Sequence, residues 1–276
     1  MAKKKKKINY DQWVIDLIVN KCSYTTEKAV SYLIGLPEDV VSDISYDYNC
    51  RNTMQRKKIY GVNQVQNQII LSSLLSGRGR MRQDDKGVSL LYMDDPRYID
   101  MTEWLYFLLD EFTSGKRIFP KNLDNKKYDT KMCFQTVSTK HLLPYFNMGY
   151  LDIIAQLDIF GLTLLLVNNV WISHRTKCGT INVKMDLNHI RDLNIQEEIH
   201  KYLLAKFNYI GLYGEMHQRK DGAYIAFDKR CNMLILEYIK RYIKPGIKSV
   251  EDKYEYILNN IDLQYVNKKS IKILKY

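Results

Sequence analysis

A chain of 276 residues with 46% hydrophobic side chains can bury a substantial core, in one large domain or two. Its 42 Lys and Arg against 31 Asp and Glu leave a formal charge of +11, which favours a polyanionic partner. The sequence has no apolar run of the roughly 18 residues a membrane helix needs, no apolar stretch behind its basic start MAKKKKKINY and no CxxC pair among its five cysteines; a membrane span, a secretory signal, a disulfide framework and a zinc ribbon are therefore excluded, and a cytoplasmic protein is expected.

The lysines at 3–7 form a basic tail suited to non-specific phosphate attraction. Trp13, Ile15, Leu17 and Ile18 predict a helix over 12–20, and Thr25 and Thr26 are candidate caps for a second over 27–34. Gly35-Leu36-Pro37 is a tight turn before a third helix over 38–48 with Val41 and Ile44 inward. The three together resemble a helix-turn-helix, although its third helix displays Glu38, Asp39 and Asp43 where phosphates would lie. The choice between a groove reader and a small interaction module stays open. The basic stretch 51–58 (RNTMQRKK) reads as the linker that follows.

Next comes QNQIILSSLLSGRG at 66–79, a helix-length run that mixes Ser72, Ser73 and Ser76 with Leu and Ile. About ninety residues later LDIFGLTLLLVNNVW at 157–171 has the same build, with Gly161 and Thr163 among large apolar residues. Small residues in such positions let two helices approach closely, and two such helices suggest one fold used twice. After the first, Arg78, Arg80 and Arg82 alternate as on one face of a strand. Asp84-Asp85-Lys86-Gly87 signals a hairpin with a return strand over 88–93, then a helix over 100–112, a Lys-rich loop over 114–129, a strand over 131–138 and a closing helix over 139–146. The second half repeats the order: strands over 171–175 and 180–185, a helix over 195–207, strands over 212–219 and 223–228, and a helix over 232–243. Ser173, Arg175 and Lys177 alternate there, as do Gln218 and Lys220 on a later strand, with Lys184 between.

ILSSLLSGRG (70–79) and GLTLLLVNNV (161–170) resemble the paired motif helices of the LAGLIDADG homing endonucleases, whose motifs run roughly ILGSLLGDG and LAIWFMDDG. The resemblance covers about 64–254 and includes the exit IKPGI. It implies an α+β fold of two αββαββα repeats forming a pseudo-twofold saddle on duplex DNA, behind a small all-α helix-turn-helix-like unit. It also implies that an acid at the foot of each motif helix holds divalent metal for phosphodiester hydrolysis. Here those positions fall on Gly77 (or Arg78, if the alignment slips by one) and on Asn169, and neither supplies a carboxylate.

No catalytic residue, metal site or cofactor is therefore expected; Mg²⁺ enters only if an active nuclease recruits other acids, such as Asp84, Asp85 or Asp158. The reading is a sequence-specific duplex-DNA binder, cleavage-inactive and acting as a transcription regulator, with an active homing endonuclease and an intron RNA maturase as alternatives. Arg78, Arg80, Arg82, Ser173, Arg175, Lys177, Lys184, Gln218 and Lys220 are the candidate DNA contacts. A monomer is expected, divided into a module at 1–58, repeats at 59–149 and 150–254, and a basic tail at 255–276. RNA remains open as a partner.

Overall fold

The computed structural model describes residues 10–48, 58–122, 130–175, 180–220 and 222–259. The linker at 51–57, the tails at 3–7 and 260–276, and Lys177 lie outside the described residues. The chain divides into two compact units, one of residues 1–59 with 93–137 and one of 60–92 with 138–276.

The first unit opens with three helices, α1 (Gln12–Cys22), α2 (Glu27–Ile34) and α3 (Glu38–Asp47). Thr26 caps α2 by accepting from the Ala29 N–H, and Gly35 ends it in the left-handed conformation that spares a side chain strain. Ile18, Cys22, Val30, Val41 and Ile44 form the shared core of these helices. The same unit holds α5 (Ile99–Leu108), α6 (Asp110–Thr113) and the hairpin β3 (Phe119–Asn122) and β4 (Thr130–Gln135). The three helices are tied to this second part by several bonds: Thr26 N–H donates to Ile118 O, Ile118 N–H donates to Tyr24 O, Arg117 pairs with Glu27 at 3.0 Å, and Lys21 pairs with Glu103 at 2.5 Å. Two expectations are corrected here. The helix over 100–112 breaks at Leu109, and the loop over 114–129 contains β3, whose half-buried FPKN earns its place through pairing with β4 rather than through any alternation of its own.

The second unit is built on α4 (Gln64–Leu75) and α8 (Ile159–Asn169), which pack on each other. Asn63 and Gln66 form a capping box on α4, and Asp158 caps α8 by accepting from the Gly161 N–H. Gln68 sits between the helices, only 3% exposed, and satisfies its amide by accepting from the Asp158 N–H and donating to Gln156 O, both at 2.9 Å. A Cβ on Gly161 would stand 2.3 Å from the Gln68 amide oxygen, so this close approach requires glycine.

β1 (Gly79–Asp84) and β2 (Gly87–Asp94) follow α4, and β5 (Val170–Arg175) and β6 (Thr180–Asp186) follow α8. After β6 come α9 (Leu193–Tyr209), β7 (Gly214–Arg219), β8 (Gly222–Phe227), α10 (Asn232–Tyr242) and α11 (Lys248–Asn259). The strands make two four-stranded antiparallel sheets, in the orders β1-β2-β4-β3 and β5-β6-β8-β7. The identical order confirms the α+β, two-repeat αββαββα expectation. The closing helix over 139–146 is instead a 3-10 turn over Lys140–Tyr145 with Pro144 inside, followed by α7 (Tyr150–Gln156), and α11 stands where only an exit and a tail were expected.

Gly161→Ala is expected to lower stability by about 1–3 kcal/mol, because the added methyl overpacks the Gln68 bridge. Urea unfolding of the two proteins measures it, and an unchanged midpoint would show that α4 and α8 tolerate a wider spacing. Deleting 1–58 removes the partners of Arg117, Glu103 and Ile118 and is expected to lower the thermal midpoint. An unchanged midpoint would mean that the helical module is energetically separate.

Candidate nucleic-acid interface

The feet of the two motif helices carry neither carboxylate. Gly77 turns the chain out of α4 with φ of +73°, and a Cβ there would meet the His189 ring at 2.5 Å. Asn169 ends α8, its Nδ2 donating to Asp186 O at 3.3 Å, while its Oδ1 is buried without a partner among the described residues. The last carbonyls of α8 attract positive charge, since they lack helical donors and carry the negative end of the dipole. Two cations answer them. Arg78 Nη2 donates to Asn168 O at 2.9 Å, and Lys253 Nζ, carried by α11, donates to Val167 O at 2.8 Å and Val170 O at 3.0 Å. Burial, with the Arg78 charge as the second cause, pushes the Lys253 ammonium down to about 8.

This chemistry does not fit a divalent metal. A hard cation at a phosphodiester needs anionic oxygens, whereas a glycine, an amide, a guanidinium and an ammonium gather here. No group of three His, Cys, Asp or Glu side chains among the described residues could hold one. The acids suggested as substitutes lie elsewhere: Asp84 and Asp85 are exposed at the β1–β2 turn, and Asp158 is at the start of α8.

Of the three arginines expected on one strand face, Arg80 and Arg82 are exposed on β1, opposite Leu91 and Ser89. Met81 between them pairs with Leu90, which fixes their direction by the two-residue period. Arg78 precedes β1, and its guanidinium is committed to α8 rather than to that stripe.

In the second sheet, Val183, Met185, Ala223, Ile225 and Phe227 are buried, on the side that packs against Ile199, Leu203 and Phe207 of α9. The alternate positions form the other side. Trp171 is in register with Lys184, and His217 with Tyr224. The Lys184 ammonium lies 4.8 Å from the Trp171 ring and 4.9 Å from the Tyr224 ring; the Arg219 guanidinium lies 4.8 and 4.2 Å from the same two rings. His217 stacks on Tyr224 with centroids 5.2 Å apart, and Trp171 Nε1 is buried without a partner among the described residues. The result is a platform of aromatic faces carrying two cations, a surface able to stack on bases and attract phosphates.

Lys184 is thus the expected residue that this platform contains. Gln218 is on the opposite side: it is in register with buried Ala223 and donates to Glu197 of α9 at 2.6 Å. Lys220 is exposed in the β7–β8 turn, and Ser173 and Arg175 occupy β5 positions in register with Asn182 and Thr180. Trp171, His217, Arg219 and Tyr224 were not singled out from the sequence. A signal was available, since Met216 is the one apolar side chain of GEMHQR and fixes 216 and 218 as the inward pair.

The buried ammonium gives a signed pH dependence. Lys253 binds its proton less tightly when folded, near 8, than when unfolded, near 10.4, so the unfolded chain holds more protons between those values and stability rises with pH there. Relative to Lys253→Met, the wild type should gain about 3 kcal/mol across that window and lose it again as the pH falls through 8. Urea midpoints for the pair at several pH values measure this, and a constant difference would mean that Lys253 titrates normally.

No family profile matches the chain, and no curated protein matches it. Among solved structures, the homing endonuclease I-WcaI bound to its DNA recognition sequence is similar with a TM-score of 0.54 and 16% identity, over 70% of this chain and 88% of that chain. The LAGLIDADG meganuclease I-AabMI bound to uncleaved DNA gives 0.44 and 11% identity, over 75% and 96% of the two chains. Full-length DUF199/WhiA from Thermatoga maritima gives 0.40 and 7% identity, over 79% of this chain and 66% of that one. With paired motif helices and two four-stranded antiparallel sheets of identical strand order, the chain has a LAGLIDADG-like fold.

Proposed function

We propose that this protein binds duplex DNA through its sheets without cleaving it, and acts as a transcription regulator in which the helix-turn-helix-like α2–α3 module is a second functional part. The observation that carries the reading is the foot of the motif helices, where Gly77 and Asn169 stand at the acid positions and Arg78 and Lys253 bond the carbonyls at the end of α8. Two cations at this point attract a phosphodiester but repel the ions that would hydrolyse it.

Arg80 and Arg82 on β1, and the platform of Lys184 and Arg219 with Trp171 and Tyr224 in the second sheet, supply charge and stacking surface. Ser173, Arg175, Lys177 and Lys220 extend the proposed contacts, with repeats at 59–149 and 150–254 acting within one monomer. The likeness to a homing endonuclease bound to its recognition sequence supports duplex DNA as the ligand class.

Selection from a random duplex pool, with and without Mg²⁺, identifies a site and tests the reading. Binding should persist in chelator and weaken steeply with salt, since each neutralised phosphate adds nearly one unit to the logarithmic slope. Arg80→Ala and Arg219→Ala should each cost about 1–3 kcal/mol if the side chain reads a base. Both strands should stay intact in Mg²⁺ or Mn²⁺; metal-dependent double-strand cleavage would refute the inactive reading. Gly77→Asp with Asn169→Asp should fail to restore cleavage, and Gly77→Asp alone should lower stability by about 1–3 kcal/mol, because an aspartate at φ of +73° is strained and its Cβ meets His189.

A further inference from the structure

The fold is used twice, but its two sheets do not carry the same chemistry at matching positions. Each starts on a strand that follows a motif helix, and the second and fourth residues of that strand are Arg80 and Arg82 in β1 but Trp171 and Ser173 in β5. Arg80 stands opposite Leu91, whereas Trp171 stands opposite Lys184. The counterparts of the two arginines are thus an indole and a hydroxyl residue.

The cations of the two sheets differ in the same way. Arg80 and Arg82 are exposed, and neither guanidinium makes a hydrogen bond, ion pair or ring contact among the described residues, so the fold leaves both donor forks free. Those of the second sheet are committed. Arg219 starts on the edge strand β7 and reaches the Tyr224 ring on β8, at 4.2 Å, and the Trp171 ring on the opposite edge strand β5, at 4.8 Å, which lays its guanidinium against the rings. Lys184 is held against the same pair. Both rings are half-buried, and the buried Nε1 of Trp171 turns the polar edge of the indole inward. What the indole leaves outward is carbon.

We infer that the two sheets read opposite halves of the duplex by different chemistry: Arg80 and Arg82 hydrogen-bond guanines in one half, and the Trp171–Tyr224 surface packs on thymine 5-methyl groups in the other. The inference rests on the duplex-DNA reading and adds the base class that each sheet selects. A free guanidinium presents two parallel N–H donors that match O6 and N7 of guanine in the major groove. Aromatic carbon has neither donor nor acceptor in its plane, and among the four bases only thymine offers an apolar group at that groove edge. Lys184 and Arg219, held on the rings, then meet phosphates beside those thymines, which adds affinity without selecting sequence. The target is G-containing on one side and T-rich on the other.

The test uses the full wild-type chain and the duplex site selected from the random pool, remade with single base analogues. Deoxyuridine removes only the thymine methyl, and 7-deazaguanine removes only the N7 acceptor. Each uracil in the T-rich half should weaken binding about threefold, the worth of one buried methyl-sized group, and be harmless in the other half. Each deazaguanine contacted by an arginine should weaken it about fivefold, in that other half alone. Arg80→Ala should abolish the penalty at one guanine, and Trp171→Ser should abolish a uracil penalty; should Trp171→Ser fail to fold, the analogue pattern on the wild type decides by itself. Deazaguanine penalties in both halves, or uracil harmless throughout, would overturn the inference while leaving duplex binding intact. Tighter binding when the thymines are left unpaired would also overturn it, by making the rings a stacking site for extruded bases. A pool that yields no site at all would instead refute duplex binding, and the inference with it.

Discussion

The close approach of α4 and α8 at Gly161 is the constraint on which the second unit depends. The Gln68 amide enters the space a side chain would fill, and it bonds the backbone on either side of the turn into α8, at Gln156 and Asp158. An amide buried to this degree is costly unless satisfied, so the bridge fixes the position as well as the distance of the two helices. Each sheet then starts within a few residues of a helix end, β1 after Leu75-Ser76-Gly77-Arg78 and β5 directly after Asn169. The strands inherit their placement from the helices.

That arrangement brings the ends of both helices to a place where charge has large effects. Carboxylates there would need a cation to hold them together; with a glycine and an amide, the free carbonyls of α8 set the local field and are met by Arg78 and Lys253. The arginine comes from the turn after α4 and the lysine from α11, so the cap also ties the C-terminal helix to the second motif helix. The lysine ammonium bears a desolvation cost for this, seen in its lowered proton affinity.

Charge is also partitioned over the molecule. The exposed cations of β1, and those on the aromatic rings of the second sheet, contrast with the carboxylates of α3. A net charge of +11 averages over these and hides both.

The sequence by itself determined the doubling, because the small residues of the two motif helices and the order of strands and helices after them are local patterns that recur. It also showed that the feet of those helices carry Gly77 and Asn169 rather than a carboxylate, and it determined the outward direction of Arg80 and Arg82, which the single apolar Met81 between them dictates. It did not determine β3, whose FPKN has no alternation and is held by its partner strand, nor α11, whose two buried residues are too few to mark a core helix. The inward side of Gln218 was legible from Met216 two residues before it, but only the tertiary structure placed Arg219 over the rings of Trp171 and Tyr224, since that depends on the register of β7 with β8 and of β5 with β6. Only the tertiary structure, likewise, joined Arg78 and Lys253 at one helix end, because side chains 175 residues apart in number have no shared local pattern and meet only once two packed helices have fixed where the chain returns.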